Sequence, residues 1–497
     1  VTRNRSVLFP YLVPVAVGTV LRLFGLTRQS FWIDEILTLR AASFGEPFRF
    51  ADVLANPQGP LPHLLLRGWA AVFGDGDLAL RLWCAFAGIL CLGLAAVTFR
   101  RIWPRATVAG VWLVALSPFQ VWYSQEVRNY IFLMAAALLV AHTLFRALDR
   151  PGAGRWLLHA AALAVALLCN LSALFLLPAL ATGLLLARPR ALRGWLPAAL
   201  LALALAWPWV QTELAGHVAW EGVGNGANLT LRGTDTFRLV ALPYTAVVFL
   251  GGYGLGPALR TVHAGLARGD WLPLVPGLIL LATGIAGCLG GLWNRRRDER
   301  VRILFWWTVI PPVLVSVLAL LGWKAYNARY LAATQPVLLL LVAIGWSEVR
   351  SASRTRALLY GLCLVAAMAV GWERQTFRQD YAKEDFRGAA HFLDTHAKPG
   401  DLILQQGVNG PLLRYYGGRV PVTTFFPVYS READGGRSKL NALVGGSNRV
   451  WWVGSRLWYE DPDRRLLRWI MEEGAFVDSW RGAGVEVRGY RLAGEGR

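Results

Sequence analysis

Charged residues are scarce in this chain: 16% of its 497 positions, against roughly 25% in ordinary soluble domains. Hydrophobic residues make up 55%, so a polar surface large enough to enclose a soluble core of this size is not available. Acidic residues are scarcer still, 31 against 51 Lys and Arg, leaving a formal charge of +20. That excess does not form one patch. It sits in short arginine clusters at the ends of apolar runs, which is how cytoplasmic loops of membrane proteins retain Lys and Arg, and it argues against nucleic-acid binding. The five cysteines (Cys84, Cys91, Cys169, Cys288 and Cys363) all lie inside apolar runs. No disulfide framework or zinc-ligand spacing is therefore available to the hydrophilic C-terminal part. Glycine-rich phosphate loops and fixed-period repeats are also missing.

What is present is a series of apolar runs of about 18 to 22 residues, the length that crosses a bilayer core of about 30 Å. Arginine clusters at Arg3 and Arg5, 100–105, 146–155, 188–193, 295–300 and 350–356 mark the cytoplasmic loops. The chain crosses twice between successive clusters, at 7–26 with 79–99, 106–123 with 130–148, and 156–170 with 172–187. The interval from Arg193 to Arg295 holds three apolar stretches, and three crossings would put Arg295–Arg297 on the wrong side. The middle one, 237–256, carries Pro243 and a run of glycines, and reads as an outer interfacial or re-entrant segment. With 195–212, 272–293, 301–322, 329–346 and 355–373 the count is eleven spans. The N-terminus is then cytoplasmic and the C-terminus outside. The first run has no small-residue cleavage site behind it and reads as a retained helix.

The fold class expected is thus an all-α polytopic membrane domain over 1–373, with outer loops at 27–78 and 213–271, followed by an extracytoplasmic α/β domain over 374–497. In that second domain helices are expected at 385–396, 412–416 and 463–473, and strands at 401–405, 450–453 and 485–492.

Three outer turns carry the chemistry. Loop 27–78 is too long to be a tight connection and too rich in Trp, Phe and Leu to be disordered. It opens Phe31-Trp32-Ile33-Asp34-Glu35, and neighbouring helical residues point about 100° apart, so Asp34 and Glu35 do not share one task. A second turn reads Trp122-Tyr123-Ser124-Gln125-Glu126-Val127-Arg128-Asn129-Tyr130. Arg128 there opposes the topology bias, which points to phosphate recognition or to an ion pair with Glu126. The third, Lys324-Ala325-Tyr326-Asn327-Ala328-Arg329-Tyr330, repeats the pattern. Acids on one turn and cations with aromatics on the others suit sugar transfer from a lipid phosphate. A carboxylate takes the acceptor proton, cations hold the leaving phosphate and ring faces hold the sugar. His63 and His142, each alone near apolar residues, read as packing residues.

Several of these motifs occur together in one family. Phe31-Trp32-Ile33-Asp34-Glu35, Pro60-Leu61, Phe73-Gly74, Ala79-Leu80-Arg81-Leu82 and Leu116-Ser117-Pro118-Phe119 are among them. So are Tyr123-Ser124-Gln125-Glu126 with Arg128, Arg329-Tyr330-Leu331, and Lys383-Glu384-Asp385-Phe386-Arg387-Gly388. In order along the chain they resemble the bacterial dolichyl-phosphate-mannose-type mannosyltransferases and lipid A aminoarabinose transferase-like proteins of the GT-C superfamily. The resemblance implies an inverting glycosyltransferase of the bacterial inner membrane, acting on its periplasmic or extracellular side. The donor would be a polyprenyl-phosphate sugar, and the acceptor is not specified. It implies a catalytic Asp in the first outer loop, at Asp34, with Glu35 beside it. Arg81, Tyr123, Gln125, Glu126, Arg128, Tyr130, Lys324, Arg329 and Tyr330 are the candidates for donor phosphate and substrate. No motif demands a cofactor. A divalent metal is the one addition the family allows, but its members often carry His before the loop proline, and Gln58 in Asn56-Pro57-Gln58-Gly59-Pro60 is a poor ligand. The rival reading, a lipid-linked sugar transporter or flippase, calls for matching halves and charges at mid-membrane, and neither is visible.

Overall fold

The computed structural model describes residues 5–42, 59–223, 238–258, 261, 268–323, 326–406, 410–417, 422–425, 437–444, 447, 449–457 and 464–492. Lys324 and the run Asn56-Pro57-Gln58 fall outside them. The chain forms two compact units. One comprises Val1–Leu26, Arg40–Pro257 and Arg268–Thr376; the other comprises Thr27–Leu39, Ala258–Ala267 and Phe377–Arg497. The segment that carries Asp34 and Glu35 thus groups with the C-terminal residues.

The first unit is helical, and the chain is a multi-pass membrane protein. Among the described residues seven helices are long and apolar enough to cross a bilayer, or eight if the bent pair Pro104–Leu116 and Pro118–Ser124 is one span. Three shorter apolar helices, Pro10–Leu23, Ala153–Cys169 and Leu171–Ala187, coincide with the remaining expected crossings. The stretch read as non-crossing is the helix Ala241–Gly251. At 1.5 Å per residue its 11 residues reach about 16 Å, half a bilayer core. Gly252 stops it at φ +77°, a backbone setting that glycine adopts without penalty.

The arginine clusters meet at one end of the unit. Asp149 accepts from both Arg101 (3.2 Å) and Arg300 (2.7 Å), and Arg300 also donates to the carbonyls of Arg101 and Ile102. Arg295 pairs with Glu348 at 3.0 Å. Four loops assigned to the cytoplasm on charge alone are therefore neighbours in space.

The bent span needs explanation, because non-helical backbone inside a membrane must find hydrogen bonds in the protein. Its two halves meet at Ser117 with a 54° bend. Arg22, near the end of the first helix α1 (Arg5–Leu23), is wholly buried and donates to the carbonyls of Gly18, Val114 and Ala115. A cation at the C-terminal end of the broken helix offsets both the orphan carbonyls and the negative end of the dipole. Gln335 donates to Ser117 Oγ (3.1 Å) and to the carbonyl of Phe249 (3.0 Å), and accepts from Gln120 (2.8 Å). Gln375 donates to the carbonyl of Pro118 at 2.8 Å. The break is a built feature with dedicated polar side chains.

The second unit carries a five-stranded sheet, β1 (Leu402–Gln406), β2 (Val422–Phe425), β3 (Arg449–Ser455), β4 (Gly474–Gly482) and β5 (Val485–Leu492), in the order β2-β1-β3-β5-β4. β1 runs parallel to β2 and β3, while β5 is antiparallel to β3 and β4. Central β3 is buried along nearly its whole length, as a strand covered on both faces must be. Leu404, Val450, Trp452, Leu467 and Ile470 make the core. Helices Phe386–His396, Gly410–Tyr416 and Arg465–Glu473 fall where the sequence places them. At the start of β1, Asp401 takes a bidentate pair from Arg449 (3.0 and 2.6 Å) and a bond from Trp451 Nε1 (2.9 Å). Burial alone would raise its pKa, but these donors and the Lys398 amide hold it below the usual carboxylate value.

Candidate active site

The expected site residues are divided between the two units. In the second unit, α2 (Ile33–Ala41) begins just after Trp32. Glu35 is fully buried. Its Oε2 accepts from the Trp32 amide at 3.3 Å, the reach-back of a capping box, and from Lys383 Nζ at 2.8 Å. Asp34, one residue earlier, is half-buried on the side of the helix that also carries exposed Leu37. The Asp34 carbonyl accepts from Thr38 Oγ1 at 3.0 Å. The two acids thus point different ways, as helical geometry requires: Glu35 is buried and paired with a lysine, and Asp34 is half-buried.

In the first unit the helix Pro118–Ser124 starts at Ser117, whose hydroxyl caps Gln120 N, and leads into the turn 125–129. Arg128 N–H donates to the carbonyl of Glu126 at 2.7 Å, and both side chains are nearly buried. Tyr130 opens the next helix, Tyr130–Asp149. The third expected turn leads into the short helix Ala328–Thr334, where Asn327 Oδ1 caps the amide of Arg329 at 3.1 Å.

These two turns converge. The Arg128 guanidinium lies 5.7 Å from the centre of the Tyr130 ring, and that of Arg329 lies 5.9 Å from the same ring and 5.6 Å from Tyr330. One tyrosine therefore supports two cations that come from positions 201 residues apart, at 128 and 329. Tyr123 packs edge-on to Tyr130 at 5.0 Å and shares a 2.8 Å hydroxyl–hydroxyl bond with Tyr253. Both Glu126 and Arg329 lie within electrostatic reach of the Tyr123 hydroxyl. The cluster thus brings two guanidiniums to one aromatic ring, with the Glu126 carboxylate in the same group of residues.

Two candidates have other work. Arg81 is buried and donates to the carbonyl of Leu26. Gln125 spreads its amide over the carbonyls of Leu21, Arg22 and Phe24 at 2.8–3.2 Å. Both satisfy backbone groups left open where the first helix ends. His63 packs against this region too. Its Nδ1 meets the Gly59 carbonyl at 2.6 Å, and burial, opposed by that bond and reinforced by Arg128, lowers its pKa to about 4. Gly59 sits at φ +93° with the Cys169 carbonyl where a Cβ would be, so only glycine fits.

Lys383, Tyr253, Gln335, Gln375 and Arg22 were not singled out from the sequence for these tasks. For the glutamines and Arg22 a signal existed, since a polar side chain within an apolar run is costly and must have a partner. Among the described residues no group of three or more His, Cys, Asp or Glu converges as a metal site.

Residues 57–211 match the family model described as dolichyl-phosphate-mannose-protein mannosyltransferase. No curated protein matches the chain in sequence. Among solved structures the chain is similar to ArnT from Cupriavidus metallidurans in its apo state. The identity is 13%, the TM-score is 0.61, and 96% of this chain and 97% of that one are covered. The same protein bound to undecaprenyl phosphate matches over the same shares at 14% identity and a TM-score of 0.61. The oligosaccharyltransferase AglB from Archaeoglobus fulgidus, in complex with an inhibitory peptide and a dolichol-phosphate, matches at 13% identity and a TM-score of 0.55. There 99% of this chain and 74% of that one are covered. At such identities the likeness is one of fold, and the fold is that of the GT-C membrane glycosyltransferases.

Proposed function

We propose that the chain is an inverting glycosyltransferase that moves a sugar from a polyprenyl-phosphate donor to an acceptor on the outer side of the membrane. The observation that carries this reading is that Arg128 and Arg329, from turns far apart in the chain, lie over the same Tyr130 ring, where two guanidiniums suit a phosphate. The GT-C fold, and polyprenyl phosphates bound to two proteins of that fold, support a lipid-borne donor.

In this reaction the acceptor oxygen attacks the anomeric carbon from the face opposite the phosphate. The new C1–O bond forms as the C1–O(phosphate) bond breaks, and its electron pair leaves on the phosphate. Arg128 and Arg329, with Lys324, take up that charge. Asp34 accepts the acceptor hydroxyl proton. A phosphate leaving group requires no strong acid, so one carboxylate suffices. Tyr123, Glu126, Tyr130 and Tyr330 are proposed to line the donor site, and Glu35 to order the first turn of α2.

The test is to incubate the detergent-solubilised chain with pentosyl and hexosyl polyprenyl phosphates and candidate acceptors. The expected result is acceptor-dependent release of polyprenyl phosphate with inversion at C1. Movement of lipid-linked sugar across vesicles without any transfer would favour the flippase reading instead.

A further inference from the structure

The segment that bears Asp34 is held at many points by one short stretch of the C-terminal part. Before α2, Arg387 donates to the carbonyls of Thr27 (2.8 Å) and Gln29 (3.3 Å). The Lys383 amide donates to Gln29 Oε1 at 3.1 Å, and Ser30 Oγ donates to the Glu384 carbonyl. The Phe31 amide donates to the Tyr416 hydroxyl at 2.7 Å, and the wholly buried Phe31 ring packs on Tyr415 and Tyr416. Arg456 pairs with Glu384 at 2.7 Å and lies over the Trp32 ring. The series ends at Glu35, where a single oxygen accepts from both the Trp32 amide and Lys383 Nζ.

That last contact sits where α2 begins. A helix start leaves four amides without intrahelical partners, and a carboxylate at the third helical position that reaches back over them fixes the first turn. Asp34 lies inside that turn. Glu35 cannot do this alone, because a fully buried carboxylate without a cation is strongly unfavourable and would protonate or pull out. Lys383, itself only 9% exposed at its side chain, supplies the cation.

We infer that Lys383 is a positioning residue for the transfer reaction: through Glu35 it orders the first helical turn and so aims the Asp34 carboxylate. The stretch 383–387 is the latch for the segment that carries Asp34. This rests on Asp34 being the base proposed above.

The experiment compares Lys383→Met, Lys383→Arg and the double variant Glu35→Gln/Lys383→Met in the purified full chain, with Asp34→Asn alongside. Lys383→Met leaves Glu35 buried without its cation. A displacement of the base by about 1 Å lowers turnover by up to about 10²-fold, with polyprenyl-phosphate affinity within about twofold of the parent. Lys383→Arg restores most of the rate. The double variant, which replaces the ion pair by neutral groups and keeps an amide at position 35 to cap Trp32, recovers at least about tenfold over Lys383→Met. A purely architectural role would instead lower the yield or melting temperature of folded protein, with kcat per folded molecule unchanged. Parent-like kcat in Lys383→Met, with Asp34→Asn inactive, overturns the inference and leaves the base assignment standing. An active Asp34→Asn overturns the base assignment itself, whatever Lys383 does.

Discussion

Replacing Tyr130 probes the cation seat, because its ring lies under both arginines. Tyr130→Phe keeps the ring face; Tyr130→Leu removes it. Each guanidinium lies under 6 Å from the ring centre, a contact worth roughly 0.5–1 kcal/mol, and more when desolvated. Two such contacts sum to about 1–2 kcal/mol, so Tyr130→Leu weakens binding of a short-chain polyprenyl phosphate by about 5- to 30-fold. Tyr130→Phe leaves it within about twofold. Arg329→Ala removes a charge-assisted hydrogen bond as well, about 1.5–3 kcal/mol or roughly 10- to 150-fold. Because the ring acts through Arg329, Tyr130→Leu costs less in the Arg329→Ala background than in the parent, by about 0.5–1 kcal/mol. The assay is isothermal titration in detergent, with melting temperatures recorded because Tyr130 is nearly fully buried. Equal affinities for parent, Tyr130→Leu and Arg329→Ala would refute the seat. Strictly additive losses would refute the role given to the ring.

Two further outcomes follow from buried groups of the helical unit. Arg22→Met strands the carbonyls of Val114 and Ala115 at the break in the bent span; the expected cost is about 2–4 kcal/mol, read as a lower melting temperature in detergent, and an unchanged value would mean other donors cap that end. His63 has a folded-state pKa lowered from 6.5 to about 4, so the unfolded chain binds the proton more tightly. The stabilisation is fully present above pH 6.5 and is lost as pH falls towards 4, by about 3 kcal/mol in all. His63→Gln, which cannot titrate, should flatten the melting temperature between pH 7 and 4.5; an equally steep decline would place the acid sensitivity elsewhere.

The membrane part of this fold was legible because two independent patterns agree, the length of the apolar runs and the rhythm of arginines. The structure repeats that rhythm as contacts, with Arg101, Asp149 and Arg300 joined at one end. The bend at Ser117 was less legible: Ser-Pro marks a helix start, but Gln335 and Gln375, which close the break, lie more than 200 residues away. Strands β2 and β4 were not anticipated, because Val422–Phe425 is short and Gly474–Gly482 alternates weakly. At the site, the separation of Asp34 from Glu35 was read from helix geometry alone. The convergence of Arg128 and Arg329 on one ring was not readable, since it depends on how helices far apart in the chain pack. The place of Arg81 and Gln125 in family-like motifs carries no sign of the bonds they donate to backbone carbonyls near the end of α1.

The central claim is that Asp34 is the base, and Asp34→Asn tests it most directly. The amide keeps shape and hydrogen bonding and removes basicity, and Glu35 remains paired with Lys383. Measured on purified protein with a polyprenyl-phosphate sugar and its acceptor, turnover should fall by about 10²–10⁴, with donor affinity and melting temperature unchanged. Near-parental turnover in Asp34→Asn would contradict the account, and loss of turnover in Glu35→Gln alone would move the base to its neighbour.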